Sequence, residues 1–126
     1  MKLQRVTSDK APAAIGPYSQ AIKAGNFVFT SGQLPMNPET GQIEGDIKAQ
    51  TKMALTNLAN VLEAAGSGMD KVVKTTVFLA DINEFAAMNE VYATFFGEVP
   101  PARSAFQAAN LPKGAKIEIE AVAVVE

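Results

Sequence analysis

The chain has 126 residues, of which 48% are hydrophobic and 19% charged, a composition that predicts one folded domain over residues 1–126 and excludes disorder. Its formal net charge is −2, from 11 basic and 13 acidic side chains, and without a basic surface we expect no nucleic-acid partner. The sequence contains neither Cys nor His, which excludes disulfides, thiolate or imidazole metal sites, and catalysis by either residue.

The two ends of the chain give no sign of a membrane. Residues 1–7 lack the apolar stretch of a secretory signal, and the longest purely apolar run, residues 121–125, is too short to span a bilayer. We therefore expect a cytoplasmic protein, with which the absence of Cys is compatible.

Three strands are predicted in the first 30 residues. Residues 27–30 are rich in β-forming side chains, and the preceding Gly25-Asn26 is typical of a two-residue hairpin turn, which makes residues 21–23 the partner strand. Leu3–Val6 is predicted as an edge strand, and the prolines at positions 35 and 38 mark a loop.

A helix is predicted after Asp46, where the spacing of apolar residues changes to about 3.6. Its apolar stripe consists of Ile47, Ala54, Leu58, Val61, Leu62 and Ala65. Gly66 follows the stripe and is expected to end the helix in the left-handed conformation. Alternating side chains over residues 73–79 then predict a strand.

A second helix is predicted from Asp81 to Phe96, and Glu84 is spaced from Asp81 as in a capping box. Its stripe consists of Ile82, Phe85, Asn89, Tyr92 and Phe96, and Gly97 ends it. Because Asn89 lies at the centre of the stripe, we expect a buried amide whose hydrogen-bond partner is either a loop backbone or a ligand.

Two further strands, over residues 103–109 and 116–125, complete the order β-β-β-α-β-α-β-β. This order predicts an α+β protein with a mixed sheet and two helices on one face. The last strand is apolar on one side, and on the other side it changes from Glu118 and Glu120 to Val122 and Val124. Two helices cover only one face, so we expect a homo-oligomeric interface on the second face, with Glu118 near its rim.

Arg103 is the candidate for binding a small carboxylate. Its guanidinium group can hold a carboxylate through two parallel hydrogen bonds, and Pro100-Pro101 restrict the chain that leads into it. Local sequence alone favours an ordinary solvated arginine, since most arginine side chains are exposed.

Glu118 and Glu120 share a strand face about 7 Å apart and could act in acid–base catalysis. Outward-facing charges are usually only solvated, but Glu118 lies where its face becomes apolar. Tyr18 could line a pocket or simply pack, and the glycine of Ser31-Gly32 allows a ligand to approach the backbone. The sequence has no phosphate-binding loop, nucleotide fingerprint or metal-ligand spacing.

Several segments together match a known pattern. They are residues 11–20 (APAAIGPYSQ), 30–33 (TSGQ) and 73–79 (VKTTVFL), followed by the more specific 101–104 (PARS), 111–113 (LPK) and 117–120 (IEIE). On these segments the chain resembles the RidA/YjgF family of enamine/imine deaminases over essentially its whole length.

The resemblance implies a chorismate-mutase-like fold that assembles as a homotrimer with ligand clefts between subunits. It also implies hydrolysis of 2-aminoacrylate, 2-aminocrotonate and their imine tautomers to 2-oxo acids and ammonia. These reactive acids are released by pyridoxal-phosphate enzymes, which the activity would protect. The resemblance implies no cofactor, and its expected partners are the small acid and other copies of the chain.

The resemblance also implies roles for individual residues. Arg103 would bind the substrate carboxylate, and Glu118 would hold and polarise the attacking water. The cleft would be lined by Tyr18, Ser31, Gly32, Asn89 and Ala105, some of them from the neighbouring subunit. Many relatives have Cys where this chain has Ala105, but the backbone N–H at that position can still bind a ligand, so we expect the loss to be tolerated.

Two other functions remain open at this point. Family members are also associated with ribonuclease activity and translation inhibition, against which the acidic charge and the missing His count. A regulatory module of purine or branched-chain amino-acid synthesis, which binds a 2-oxo acid without turnover, is the stronger rival, because it would need Arg103 but not Glu118.

Overall fold

A computed structural model describes residues 2–125, and its elements follow the predicted order. The strands are Leu3–Val6 (β1), Ala21–Ala24 (β2), Phe27–Thr30 (β3), Val72–Leu79 (β4), Ala102–Gln107 (β5) and Ile117–Val124 (β6). The helices are Ile47–Ala64 (α1) and Phe85–Ala93 (α2). Short 3₁₀ turns lie at Met69–Lys71, Ile82–Glu84 and Pro112–Gly114.

The six strands form one mixed sheet in the order β1-β2-β3-β6-β4-β5. All pairs are antiparallel except β4 and β5, which are parallel because the connection between them crosses over through α2. The chain's last strand therefore lies in the middle of the sheet, between β3 and β4. The predicted α+β architecture and the edge position of β1 are confirmed.

The core lies between one face of the sheet and α1. Alternate residues of β6 are buried, beginning with Ile117 and Ile119, and α1 packs on this side with Leu55, Leu58 and Leu62 fully buried. The helix-covered face predicted from the sequence is confirmed.

The ends of α1 follow from its sequence. The Asp46 side chain accepts the Ala49 N–H at 2.9 Å, which satisfies a free donor of the first turn. Gly66 has a φ of +83°, and the N–H of Ser67 reaches the Leu62 carbonyl at 2.9 Å. The predicted start and glycine cap are both confirmed.

The second helix is shorter than predicted. Ile82–Glu84 forms a 3₁₀ turn in which Asp81 accepts the Asn83 N–H, so no capping box forms and α2 begins at Phe85. The helix ends at Ala93, because the last turn tightens and the Thr94 hydroxyl and N–H both donate to the Val91 carbonyl. The prediction that Gly97 ends this helix was wrong.

The shortened helix also changes which of its residues are buried. Met88 and Tyr92 face the core, whereas Asn89 lies at the edge of this stripe and is exposed. The predicted burial of Asn89 was therefore wrong, and its side-chain oxygen accepts a hydrogen bond from the Arg103 side chain and not from a loop backbone.

The second face of the sheet has no cover within residues 2–125. Phe27 and Phe29 of β3 lie opposite Val124 and Val122 of β6, and both rings are more than two-fifths exposed. Phe106 of β5 is similarly exposed on this side. We call this surface, formed by the outward side chains of the sheet, the open face.

Among the helices of residues 2–125, none combines the length and the apolar character that crossing a bilayer requires.

Candidate active site

Arg103 lies on β5 directly opposite Thr75 of β4, and its side chain is on the helix-covered side of the sheet. Its Nη1 donates to Oδ1 of Asn89 at 2.7 Å. The guanidinium carbon lies 4.7 Å from the centre of the Tyr92 ring and 5.2 Å from that of Phe85. These distances are within the range of cation–π contacts.

One face of α2 supplies all three contacts. Phe85, Asn89 and Tyr92 are spaced by four and three residues, so their side chains line the same side of the helix. All three belong to the predicted apolar stripe, in which Tyr92 is part of the core and Phe85 packs against it, so the stripe contacts a cation at the edge of the core. Neither Phe85 nor Tyr92 was predicted to be part of the site.

The Arg103 guanidinium has no carboxylate partner among residues 2–125. The ion pair found in this range joins Lys48 and Glu90 at 3.2 Å, and both side chains are well exposed. Arg103 borders a cavity of about 450 Å³ that is otherwise lined by Phe96, Pro100 and other α2–β5 residues. A partly buried cation without a counter-ion, beside a cavity, is suited to binding an anionic ligand.

Ala105 lies two residues after Arg103 on the same side of β5. It pairs in register with Val77, and its methyl group packs against the core. Its side chain therefore offers packing but no reactive atom.

Glu118 lies on the opposite side of the sheet from Arg103. It pairs with Phe78 of β4, and alternation along β6 places it on the open face. Its carboxyl group lies over Gly32: a Cβ built on that glycine would overlap Oε2 of Glu118 and lie 2.8 Å from its Cδ. Glycine at position 32 thus makes room for the carboxylate.

The pKa of Glu118 is raised above the ordinary value, first by burial and second by the negative charge of Glu120. Both causes disfavour the ionised carboxylate. A carboxyl group of this kind is suited to exchanging protons with a substrate.

Ser31 and Gly32 are fixed to the neighbouring segments by backbone bonds. The Ser31 N–H donates to the Gln20 carbonyl at 2.9 Å, and its hydroxyl donates to the Ser19 carbonyl at 2.6 Å. On the other side, Gln33 and Ile119 exchange two backbone hydrogen bonds of 2.7 and 3.1 Å. Gly32 is therefore held beside β6, because the next residue, Gln33, pairs with Ile119, and Ile119 directly follows Glu118.

Tyr18 lies just before Ser19 and is 52% exposed. The segment that carries it is anchored by Gln20, whose buried amide accepts the Ser8 N–H at 2.7 Å and donates to the Pro12 carbonyl at 2.7 Å. Sequence reasoning did not single out Gln20, although it closes the motif of residues 11–20.

The predicted site residues thus form two groups. Arg103 and Asn89, with Ala105 beside them, lie on the helix side, whereas Glu118, Gly32 and Ser31 converge at the open face. Arg103 does not meet Glu118 within one chain. Within residues 2–125, no group of three or more acidic side chains is arranged to hold a metal ion.

Comparisons with known proteins find similar sequences and structures over nearly the whole chain. Residues 8–125 match the family model described as endoribonuclease L-PSP. A RutC family protein of Pyrococcus abyssi is 54% identical over the full length of both chains. A protein of Escherichia coli named 2-iminobutanoate/2-iminopropanoate deaminase is 49% identical, with 94% of this chain and 95% of that protein covered. The structure of E. coli TdcF with bound serine matches with a TM-score of 0.94 at 45% identity, over 98% of this chain and 99% of TdcF.

Proposed function

Because the chain belongs to the endoribonuclease L-PSP family, also known as the YjgF/RidA family, we propose that it is an enamine/imine deaminase. Its substrates would be 2-iminopropanoate, 2-iminobutanoate and their enamine tautomers, and its products the 2-oxo acids and ammonia. The observation that carries the proposal is the Arg103 guanidinium, a partly buried cation without a counter-ion in the described chain. The name of the E. coli relative supplies the class of acid it would bind.

Arg103 binds the carboxylate that all of these substrates share. Asn89 occupies one donor of the guanidinium, which leaves other N–H groups for the two oxygens of a carboxylate. This contact fixes the orientation of a substrate that has few other polar atoms, and orientation is a large part of what the reaction requires.

Glu118 acts on the attacking water. The enamine first takes a proton at its methylene carbon and loses one from nitrogen, which gives the imine. The water oxygen then bonds to the imine carbon, while Glu118 accepts a water proton and returns one to the nitrogen. Transfer of the remaining hydroxyl proton to the nitrogen, with cleavage of the C–N bond, then releases ammonia and leaves the 2-oxo acid. These steps involve no net oxidation or reduction, so the proposal needs no redox cofactor.

Arg103 and Glu118 meet when copies of the chain associate. The two residues lie on opposite sides of the sheet, and the open face presents apolar side chains such as Phe29 and Phe106. We propose a homotrimer in which each cleft takes Arg103 and Asn89 from one subunit and Glu118, Gly32, Ser31 and Tyr18 from its neighbour. Association would also bury the apolar part of the open face.

The biological setting follows from the substrates. Imine acids of this kind are reactive products of pyridoxal-phosphate enzymes, and their rapid hydrolysis in the cytoplasm would protect those enzymes. This role is part of the proposal.

A coupled assay tests the activity. A pyridoxal-phosphate dehydratase generates 2-aminoacrylate from serine, semicarbazide traps the imine, and pyruvate that escapes trapping is measured. The protein should increase the pyruvate yield. Arg103→Ala should lower kcat/KM by about 100-fold or more, because it removes two charge-assisted hydrogen bonds. Lys52→Ala, which removes an exposed cation from α1, is the matched control and should have no effect.

The same preparation separates the rival functions. Equal pyruvate with and without the protein, together with Arg103-dependent binding of pyruvate, would replace the deaminase by a binding module. Cleavage of RNA that survives Arg103→Ala would instead favour the activity in the family's description.

A further inference from the structure

The restraint on Arg103 is tighter than a single hydrogen bond would give. The side chain contacts Asn89 through one nitrogen, and its guanidinium carbon lies over two aromatic rings. A guanidinium group with one acceptor can still rotate about its own bonds and present different N–H groups to a ligand. The rings are therefore the contacts that select its plane.

Tyr92 is the nearer and better fixed of the two rings. It is only 5% exposed, and its ring centre lies 4.7 Å from that of Phe96 as well as 4.7 Å from the guanidinium carbon. Its hydroxyl group is 2.7 Å from Oγ1 of Thr75, which is completely buried. The ring is held both at its face and at its tip.

Thr75, whose hydroxyl group contacts that of Tyr92, is also the residue paired with Arg103 across β4 and β5. Arg103 thus provides the cation, and Thr75, beside it on β4, anchors the Tyr92 ring that contacts this cation. The contacts form a continuous path from Thr75 through Tyr92 and Arg103 to Asn89, which returns to α2.

We propose that Tyr92, anchored by Thr75, is a positioning residue that fixes the plane of the Arg103 guanidinium for carboxylate binding. This inference rests on the proposed function of Arg103 and names a residue through which that function is maintained. Tyr92 also lines the cavity beside Arg103, but the role proposed for it is exerted through Arg103.

Three variants test the proposal in the full-length protein. Tyr92→Leu removes the ring, Tyr92→Phe keeps the ring and loses the hydroxyl, and Met88→Leu is the control. Met88 is fully buried on the same helix but offers neither a ring nor a hydrogen-bond acceptor. Tyr92→Leu should raise KM and the Kd of pyruvate about tenfold, with kcat changed far less, because a cation–π contact of a desolvated guanidinium is lost. Tyr92→Phe should retain most of the affinity, and Met88→Leu should retain all of it.

A second measurement is independent of activity. In ¹⁵N-detected NMR spectra, the Arg103 Nη groups should show slow rotation in the wild type and in Tyr92→Phe, and fast rotation in Tyr92→Leu. Equal KM increases for Tyr92→Leu and Met88→Leu, or unchanged Nη rotation in Tyr92→Leu, would overturn the positioning role. If the wild type proves to have no deaminase activity, the proposed function fails, and the Nη rotation still decides whether Tyr92 fixes Arg103.

Discussion

Two features of the structure raise the pKa of the Glu118 carboxyl group. Burial is the larger, and the negative charge of Glu120, two residues along the same face of β6, adds to it. Both raise the pKa of Glu118, so this carboxyl group ionises at a higher pH than an unperturbed glutamate does. The proposed water activation needs this ionised form, and activity should therefore fall as the pH drops through the raised pKa.

Glu120→Gln tests this relation. The substitution removes the second cause of the shift and lowers the pKa of Glu118, so the acidic limb of the kcat/KM profile should move to lower pH. Glu63→Gln removes an exposed carboxylate of α1 and should leave the profile unchanged. A limb that stays in place, or moves to higher pH, contradicts the assignment of this limb to Glu118.

Much of the secondary structure could be predicted because it is encoded locally. Asp46 and Gly66 mark the ends of α1 through capping bonds made within a few residues, and both were identified correctly. The limits of α2 could not be predicted, because Ile82 and Phe96 continue its apolar spacing although neither lies in the helix. The periodic pattern records where apolar residues occur and not where a helix ends: Phe96 packs against the core from outside the helix, and Ile82 is exposed.

The candidate site, like the helices, could be predicted only in part. Arg103, Glu118 and Gly32 could be selected from the sequence through the family resemblance, which the comparisons confirm. Their positions relative to each other depend on β6 inserting between β3 and β4, a long-range pairing with no local signal. For the same reason the contact of Tyr92 with Arg103 was not predicted.

Gly32, in the segment that follows β3, lies close to β6, and a substitution at this glycine tests the contact. Gly32→Ala would place a methyl group where the Glu118 carboxyl group lies. The carboxyl group is the far end of a flexible side chain, so it should move aside while the sheet remains intact. We expect kcat to fall about tenfold or more through misplacement of the base, with little change in Tm. Ala64→Ser, at an exposed position of α1 away from both groups of site residues, is the control. A Gly32→Ala variant with full activity would contradict the role of this contact.

At the level of the whole molecule, the opposite placement of Arg103 and Glu118 makes the assembly part of the proposed chemistry. In a cyclic trimer, each cleft takes its arginine from one subunit and its glutamate from the next. Arg103→Ala and Glu118→Gln homotrimers should both be inactive. When the two variants are unfolded together in equal amounts and refolded, every mixed trimer contains one cleft with both residues intact, so about a quarter of the wild-type activity should return. Separately refolded samples, mixed afterwards, are the control. If co-refolding restores no activity although mass spectrometry shows mixed trimers, the site does not lie between subunits.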